Sequence, residues 1–227
     1  MRIKFHTFLC VIFLLWAMPG VAVVKPHVIS FGKWTTVKWL AGADENKLLD
    51  LKVRALYIDT RLKEYTTGAP HEVTDRLFVV QRVFRVNDSL PDEAGGMPHW
   101  QWERGGWLLV DRVTGRVTPI ALAEFDPLYS TASWYRDYMA YCGVSDDGKK
   151  LFAMVLQLGR RKPILKRALG ESAGDDLPDS ACSAPRWQKQ PPRVIFQPKQ
   201  GQAVMFSVRG RTIDLVDDAE DEEAGSK

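Results

Sequence analysis

Two tryptophans, Trp100 and Trp102, are the residues of this chain whose type and spacing best suit ligand binding. They stand two positions apart, so on a β-strand both rings would lie on the same face. Exposed indole rings on a rigid sheet can stack on a sugar or on an apolar peptide side chain. His99 precedes the pair and completes the candidate ligand-binding set. The competing interpretation, that both rings fill the core, is the one that sequence alone favours.

Signatures of catalysis and of metal binding are weak in this sequence. It contains no H-E-x-x-H motif, no glycine-rich phosphate loop and no C-x-x-C pair. Its histidines are scattered, and Asp146-Asp147-Gly148 lacks the alternating oxygen ligands of a calcium loop. We therefore predict no catalytic residue, no metal and no cofactor. The alternative is a hydrolytic protein in which Glu103 or Asp92 acts beside the tryptophans.

Short alternating runs separated by turn residues surround the tryptophan pair, and this pattern predicts an all-β protein. Residues 76–86 predict a long strand whose Arg82 and Arg85 are partly exposed. An irregular loop over residues 87–98 follows, of a length that is often functional or mobile. Residues 99–111 then predict a hairpin that turns at residues 104–106.

Residues 133–169 predict the structural centre, with three consecutive antiparallel strands and two turns. The strands are predicted at 134–144, 151–158 and 163–169, and the turns at 145–148 and 159–162. Aromatic residues on both faces of the first strand and a continuous apolar run in the second predict burial on both sides.

Two turn motifs carry a family resemblance. Ser145-Asp146-Asp147-Gly148-Lys149-Lys150 and the D-x-x-T-G turn at residues 111–115 resemble turns in the blades of TolB-like and WD40-like β-propellers. The resemblance implies a propeller-like meander, but twelve to fourteen predicted strands are too few for a complete propeller of four-stranded blades. The predicted fold is therefore a partial propeller-like stack or a β-sandwich. A few short helices are expected, with candidates at residues 44–50 and 127–133.

The N-terminus has the pattern of a secretory signal peptide. Arg2 and Lys4 precede an apolar stretch, and small residues end it near Ala22. We predict cleavage after Ala22, which leaves no membrane span and makes the protein periplasmic or secreted. The alternative is an uncleaved N-terminal segment that tethers the protein to a membrane. Residues 23–216 are predicted to be one all-β domain.

Charge divides the remaining chain into a basic body and an acidic tail. Residues 23–216 carry 28 basic and 22 acidic side chains, whereas residues 217–223 carry six acidic ones. Such a like-charged run predicts disorder for residues 217–227. The tail is either a solubilising segment or one that folds back on a basic surface or binds a basic partner. The diffuse basic charge of the body does not predict nucleic-acid binding.

Cys142 and Cys182 are the only cysteines beyond the predicted signal peptide. In an exported protein two cysteines most simply pair with each other, and a free thiol or an intermolecular bridge is the alternative. The loop of about 40 residues that they would close predicts at most about 4 kcal/mol of stabilisation.

These observations favour an exported, non-catalytic β-domain that binds a protein or a component of the cell envelope. The alternative is a secreted carbohydrate-binding or hydrolytic protein that uses the face of Trp100 and Trp102. Envelope polysaccharide is therefore a candidate partner beside protein, and the oligomeric state is left open.

Overall fold

The structure is a computed structural model of the 227-residue chain. It describes residues 26–40, 48–87, 89, 100–171, 182–199, 201–209 and 212–215. The predicted signal peptide, the predicted acidic tail and nearly all of the predicted loop over residues 87–98 lie outside the described residues. His99 and Asp92 lie outside them as well.

The described residues form fifteen strands and no helix, which confirms the predicted all-β class. The strands are β1 Ile29–Phe31, β2 Thr35–Leu40, β3 Leu48–Ile58, β4 Arg61–Glu72, β5 Leu77–Asn87, β6 Trp100–Asp111, β7 Arg116–Pro119, β8 Ala132–Tyr135, β9 Tyr138–Val144, β10 Lys150–Gln157, β11 Leu165–Glu171, β12 Arg186–Lys189, β13 Pro192–Phe196, β14 Val204–Arg209 and β15 Thr212–Leu215.

The expectation of a few short helices is wrong for the described residues. Of the first candidate, residues 44–50, the described part from Leu48 to Asp50 begins β3, where cross-strand pairing to β2 outweighs local helix propensity. Of the second, residues 127–133, the first three form a turn that Asp126 caps. Its carboxylate accepts the Leu128 backbone N–H at 2.8 Å and its carbonyl accepts that of Ser130 at 2.6 Å.

The first sheet has seven strands in the order β1-β3-β2-β6-β5-β4, with β7 paired to β6 and β3 also paired to β4. β1 and β2 follow each other along β3, because Phe31 pairs with Leu56 and Thr35 pairs with Val53. β2 meets β6 at a single parallel pair between Trp39 and Trp102. Neighbouring strands therefore hold β6 on both edges and fix the positions of its side chains.

β6 is one continuous strand, so the hairpin predicted over residues 99–111 is wrong. Gly105 and Gly106 form a bulge in β6 opposite Arg82, since Val83 pairs with Arg104 and Gln81 with Trp107. A Cβ at Gly105 would lie 3.1 Å from Cε1 of Phe84, which explains why the residue at this position is small. The two glycines therefore bend a strand instead of ending it.

The second sheet is a four-stranded antiparallel meander in the order β11-β10-β9-β8. The strand predicted over residues 134–144 is a tight hairpin, because Arg136 has a φ of 54° and the chain turns between Tyr135 and Tyr138. β9 is buried on both faces, as predicted, with Tyr141 on one face and Cys142 on the other.

The third sheet is a second four-stranded antiparallel meander, β12-β13-β14-β15. The polar, proline-containing composition of residues 170–192 predicts a linker, and this prediction is wrong for Arg186–Lys189, which form β12. The predicted disulfide between Cys142 and Cys182 is present, and it joins β9 to a short bridge between Cys182 and Pro198. The second and third sheets share one buried apolar cluster around this disulfide, which includes Val155, Phe196 and Phe206.

Candidate binding surface

Trp100 and Trp102 lie on the same face of β6, as their spacing predicts, but they differ in burial. The Trp100 side chain is 50% exposed. Trp102 is partly buried and packs against an apolar cluster that contains Trp39, Leu51 and Val83. The interpretation that both rings fill the core therefore fits Trp102 in part and does not fit Trp100.

Arg85 lies between the two indole rings. It pairs with Trp102 across β5 and β6, and its Cζ is 5.0 Å from the ring centroid of Trp100 and 5.7 Å from that of Trp102. These distances are those of cation–π contacts, which hold a guanidinium over an aromatic face. The three side chains thus form one ordered group on the sheet.

Tyr65 and Leu49 extend this group into a larger surface. Tyr65 contacts Trp102 edge to face, with ring centroids 5.2 Å apart, and is 36% exposed. Leu49 is 40% exposed and pairs with Trp39, which is itself the partner of Trp102. We call the surface formed by Trp100, Trp102, Arg85, Tyr65 and Leu49 the Trp100 surface.

A second arginine, Arg104, is on the same face of β6 and contacts Trp39, the neighbour of Trp102 on β2. Its Cζ is 4.4 Å from the Trp39 ring centroid, and its Nη2 donates to the carbonyl of Leu128 at 3.2 Å. Burial lowers the pKa of Arg104, and the nearby carboxylate of Asp126 opposes that shift. Arg104 therefore adds a second positive charge on this face, close to Trp39.

Carboxylates of the neighbouring strands point to the opposite face of the sheet. Asp50 pairs with Lys38 at 2.6 Å, and Glu64 accepts a hydrogen bond from Nε of Arg82 at 2.9 Å. Glu103 is next to Trp102, so strand alternation directs its side chain away from the tryptophans. The structure therefore does not bring the predicted acid Glu103 to the Trp100 surface.

An open cleft of about 500 Å³ lies elsewhere on the first sheet, beside the turn between β4 and β5. Its lining includes Glu72, Thr74 and Arg112. Arg112 donates two hydrogen bonds to Glu72, each of 2.8 Å, and these bonds lower the pKa of that carboxyl. Two of the charged groups that line the cleft, Arg112 and Glu72, are therefore paired with each other.

Metal ligation finds no support in the described part of the chain. No group of three or more histidine, cysteine, aspartate or glutamate side chains there could hold a metal ion. His71 is used structurally, because its ring stacks on Trp134 with centroids 5.7 Å apart and its Nε2 lies 2.8 Å from the Arg136 carbonyl oxygen.

The stretch Gly170-Glu171-Ser172-Ala173-Gly174 matches the G-x-S-x-G spacing of a serine-hydrolase elbow, although it was not among the predicted site residues. Such an elbow needs the serine at a tight turn between a strand and a helix. Gly170 and Glu171 end the edge strand β11, and Ser172 lies outside the described residues. No helix occurs in the described ranges, so we assign no nucleophile to this match.

No protein-family model matches the chain, and no curated protein is similar to it. Over residues 26–215, wherever the structure describes the chain, no helix is long and apolar enough to cross a membrane. Function is therefore inferred from the chemistry of the surface itself.

Proposed function

We propose that this chain is an exported, non-catalytic β-protein that binds another protein or a component of the cell envelope through the Trp100 surface. The observation that carries the proposal is the half-exposed ring of Trp100, which Arg85 contacts. Trp100 lies on β6, a strand that pairs with neighbouring strands on both of its edges. Tryptophan, tyrosine and arginine are the residue types that dominate binding energy in protein interfaces.

The absence of catalytic groups at this surface supports a binding role. Among its described residues there is no histidine and no carboxylate, and Glu103 points to the other face. A hydrolase needs a positioned acid, base or nucleophile within reach of its substrate. The hydrolytic alternative therefore has no support from the described residues near Trp100.

Two features support export. The N-terminal residues have the charge and apolar pattern of a signal peptide. The disulfide between Cys142 and Cys182 is of the kind that forms in oxidising compartments such as the periplasm or the cell exterior.

Carbohydrate binding is the second candidate function, because two indole rings share one face. A sugar stacks best on a free and flat aromatic ring. Trp102 is partly buried against Tyr65, and Arg85 lies over both rings. A single half-exposed ring with Arg85 over it, and with Leu49 exposed on the same face, fits a protein side chain better than it fits a sugar chain.

Site-specific photo-crosslinking tests the proposed function in the organism that makes the protein. A photoreactive residue replaces Leu49 in the Trp100 surface. In a control it replaces Val28, which is 62% exposed and lies just before β1, beside the far end of β3. We expect covalent adducts from position 49, identifiable by mass spectrometry, and none of the same mass from position 28.

Two tryptophan variants decide whether these adducts depend on the surface. Trp100→Ala should abolish them, whereas Trp34→Ala should not, because Trp34 is 47% exposed and has its own arginine, Arg54, at 4.2 Å. Adducts that survive in Trp100→Ala would refute the proposed surface. Quenching of tryptophan fluorescence by an oligosaccharide in the wild type but not in Trp100→Ala would establish the carbohydrate alternative.

A further inference from the structure

We propose that the Trp100 surface recognises an acidic peptide segment in which a carboxylate is next to an apolar side chain. The carboxylate binds Arg85, and the apolar side chain packs on the half-exposed ring of Trp100. This inference rests on the proposed function and adds the chemical class of the partner.

Three arginines in or beside the first sheet pair with carboxylates of the chain, namely Arg76 with Asp111, Arg82 with Glu64, and Arg112 with Glu72. Arg85 differs from them, because its contacts are with the rings of Trp100 and Trp102 and no described carboxylate pairs with it. Arg85 is thus a surface cation that lacks an anion of its own among the described residues.

A guanidinium that rests on aromatic rings still has its N–H groups available to an acceptor. The attraction to the ring face uses the positive charge and none of the five N–H donors. A carboxylate can accept two parallel hydrogen bonds from such a group. The contacts with Trp100 and Trp102 also restrict the arginine side chain before binding, which reduces the entropy that binding costs.

The charge around Arg85 favours an anionic partner. Arg104 adds a positive charge on the same face, and Asp50, Glu64 and Glu103 belong to the opposite face. The carboxylate of Asp126 lies near Arg104 and offsets part of its charge. Arg85 is therefore the cation that an incoming carboxylate would meet, with no facing carboxylate among the described strand residues.

The apolar rim of the surface favours a peptide over an acidic sugar. Leu49 and Tyr65 are exposed on the same face as Trp100 and offer an aliphatic and an aromatic contact. Side chains of leucine, isoleucine or phenylalanine fit such a rim, whereas the hydroxyl groups of a uronic acid would lose hydrogen bonds to water there.

Calorimetry with two matched peptides tests the inference on the full-length protein with its disulfide intact. One blocked peptide alternates glutamate and leucine, and the other replaces each glutamate by glutamine. We expect the glutamate peptide to bind about tenfold to hundredfold more tightly, which is the range for one charged hydrogen-bonded contact. Raising the salt concentration should reduce this preference.

Arginine variants assign the preference to one side chain. Arg85→Gln should remove the preference for glutamate, and Arg85→Lys should retain part of it because it keeps the charge without the fork geometry. Arg54→Gln is the matched control. Arg54 also rests on two rings, at 3.9 Å from Phe31 and 4.2 Å from Trp34, but on the opposite face of the sheet, so its loss should leave the preference intact.

The outcomes separate this inference from the proposed function. Equal binding of the two peptides, or a preference that persists in Arg85→Gln, would overturn the acidic-peptide assignment even where Trp100→Ala abolishes the cross-linked adducts. A galacturonate oligosaccharide that binds through Arg85 when the glutamate peptide does not would also overturn it. Adducts that do not depend on Trp100 would remove the proposed function and this inference together.

Discussion

Tyr141 is a fully buried residue whose hydroxyl group donates a 2.6 Å hydrogen bond to the carbonyl of Ala123. Its ring contacts Phe125 edge to face at 5.2 Å, so packing and hydrogen bonding hold it together. Removing the hydroxyl leaves a carbonyl without its partner. We expect Tyr141→Phe to lower the free energy of unfolding in urea by about 1–2 kcal/mol. The control Tyr57→Phe should change it by less than about 0.5 kcal/mol.

Because of Tyr141, we also expect the folded protein to lose stability at high pH. Burial raises the pKa of Tyr141, and the negative charge of Glu124 raises it further. The folded state therefore holds the proton more tightly than the unfolded state does. That contribution is complete below about pH 10, the ordinary pKa of tyrosine, and is lost as the pH rises above it. In this range the free energy of unfolding of Tyr141→Phe should fall less steeply with pH than that of the wild type. An unchanged slope would contradict the role of Tyr141 in the loss of stability.

The residues of the Trp100 surface show what a sequence can predict about a site. The shared face of Trp100 and Trp102 follows from strand alternation and needs no tertiary information. Arg85 could be predicted only as partly exposed. Its place opposite Trp102 depends on the pairing of β5 with β6 across a connection of twelve residues, 88–99, and no local pattern specifies that register.

At the level of elements, Gly143 shows how closely two segments can approach in a core. A Cβ at Gly143 would lie 2.9 Å from Cγ of the buried Met154 and 3.0 Å from the carbonyl oxygen of Glu124. That same carbonyl accepts the Val144 backbone N–H at 2.9 Å, so it cannot retreat without breaking a hydrogen bond. The central strand β9 therefore requires glycine here.

We expect Gly143→Ala to destabilise the protein by about 1–3 kcal/mol through overpacking. Gly106→Ala is the matched control, because a Cβ at Gly106 has no neighbour within 4 Å. This control should be neutral or slightly stabilising, since alanine restricts the unfolded chain more than glycine does. Urea unfolding of both variants measures the difference, and equal stability of the two would contradict the close approach at Gly143.

Two elements are predicted wrongly because the local sequence does not specify where the chain turns. The pair Gly105-Gly106 predicts the turn of a hairpin but forms a bulge, and a local pattern does not distinguish the two. The turn between Tyr135 and Tyr138 is not predicted, because its left-handed position is occupied by Arg136 and not by the glycine, asparagine or aspartate that such positions favour. In contrast, Asp147 and Gly148 marked their turn correctly, since the Asp147 carboxylate accepts the Lys149 backbone N–H at 3.1 Å and Gly148 has a φ of 71°.

For the molecule as a whole, the sequence predicted the all-β class, the disulfide and antiparallel meanders. The arrangement of these strands in one seven-stranded sheet and two four-stranded sheets could not be predicted, because it depends on pairings far apart in sequence. The pairing of β2 with β6, for example, joins Trp39 to Trp102. The resemblance to propeller blades stays a prediction, although the second and third sheets are both four-stranded meanders.

Acid should weaken the protein as a whole, because hydrogen bonds lower the pKa of several carboxyl groups. The largest causes are bonds from Arg76 to Asp111, Arg112 to Glu72, His27 to Asp59 and Ser145 to Asp147. The folded state therefore holds fewer protons than the unfolded state near pH 4. The resulting stability is present above about pH 4 and is lost as the pH falls through the lowered pKa values.

Asp111→Asn isolates one of these carboxyl groups. Asparagine retains an oxygen for the backbone N–H groups of Val113 and Thr114, which Asp111 accepts at 2.8 Å and 3.2 Å, but loses the ion pair with Arg76. We expect a shallower loss of stability between about pH 4 and pH 2, measured by urea unfolding across this range. Arg76→Gln should give the same change, and the double variant should add little to it. Additive effects would show that the two side chains do not act as a pair.

The disulfide between Cys142 and Cys182 should stabilise the third sheet more than the first. Both cysteines are 2% exposed and lie in the apolar cluster that the second and third sheets share. The bond closes a loop of 40 residues. It links β9 to Cys182, which forms a short β-bridge with Pro198 in the segment between β13 and β14. Without the disulfide, only the contacts of the shared cluster hold the third sheet against the second sheet.

We expect the double variant Cys142→Ala and Cys182→Ala to lose about 2–4 kcal/mol of unfolding free energy. Hydrogen exchange should report where the loss falls. Amides of β13 and β14 should exchange faster in the variant, whereas those of β3 and β5 in the first sheet should change little, because their clusters do not contain either cysteine. A uniform increase across all three sheets would instead mean that the protein unfolds as one cooperative unit, and two free thiols in non-reduced peptide maps would remove the disulfide itself.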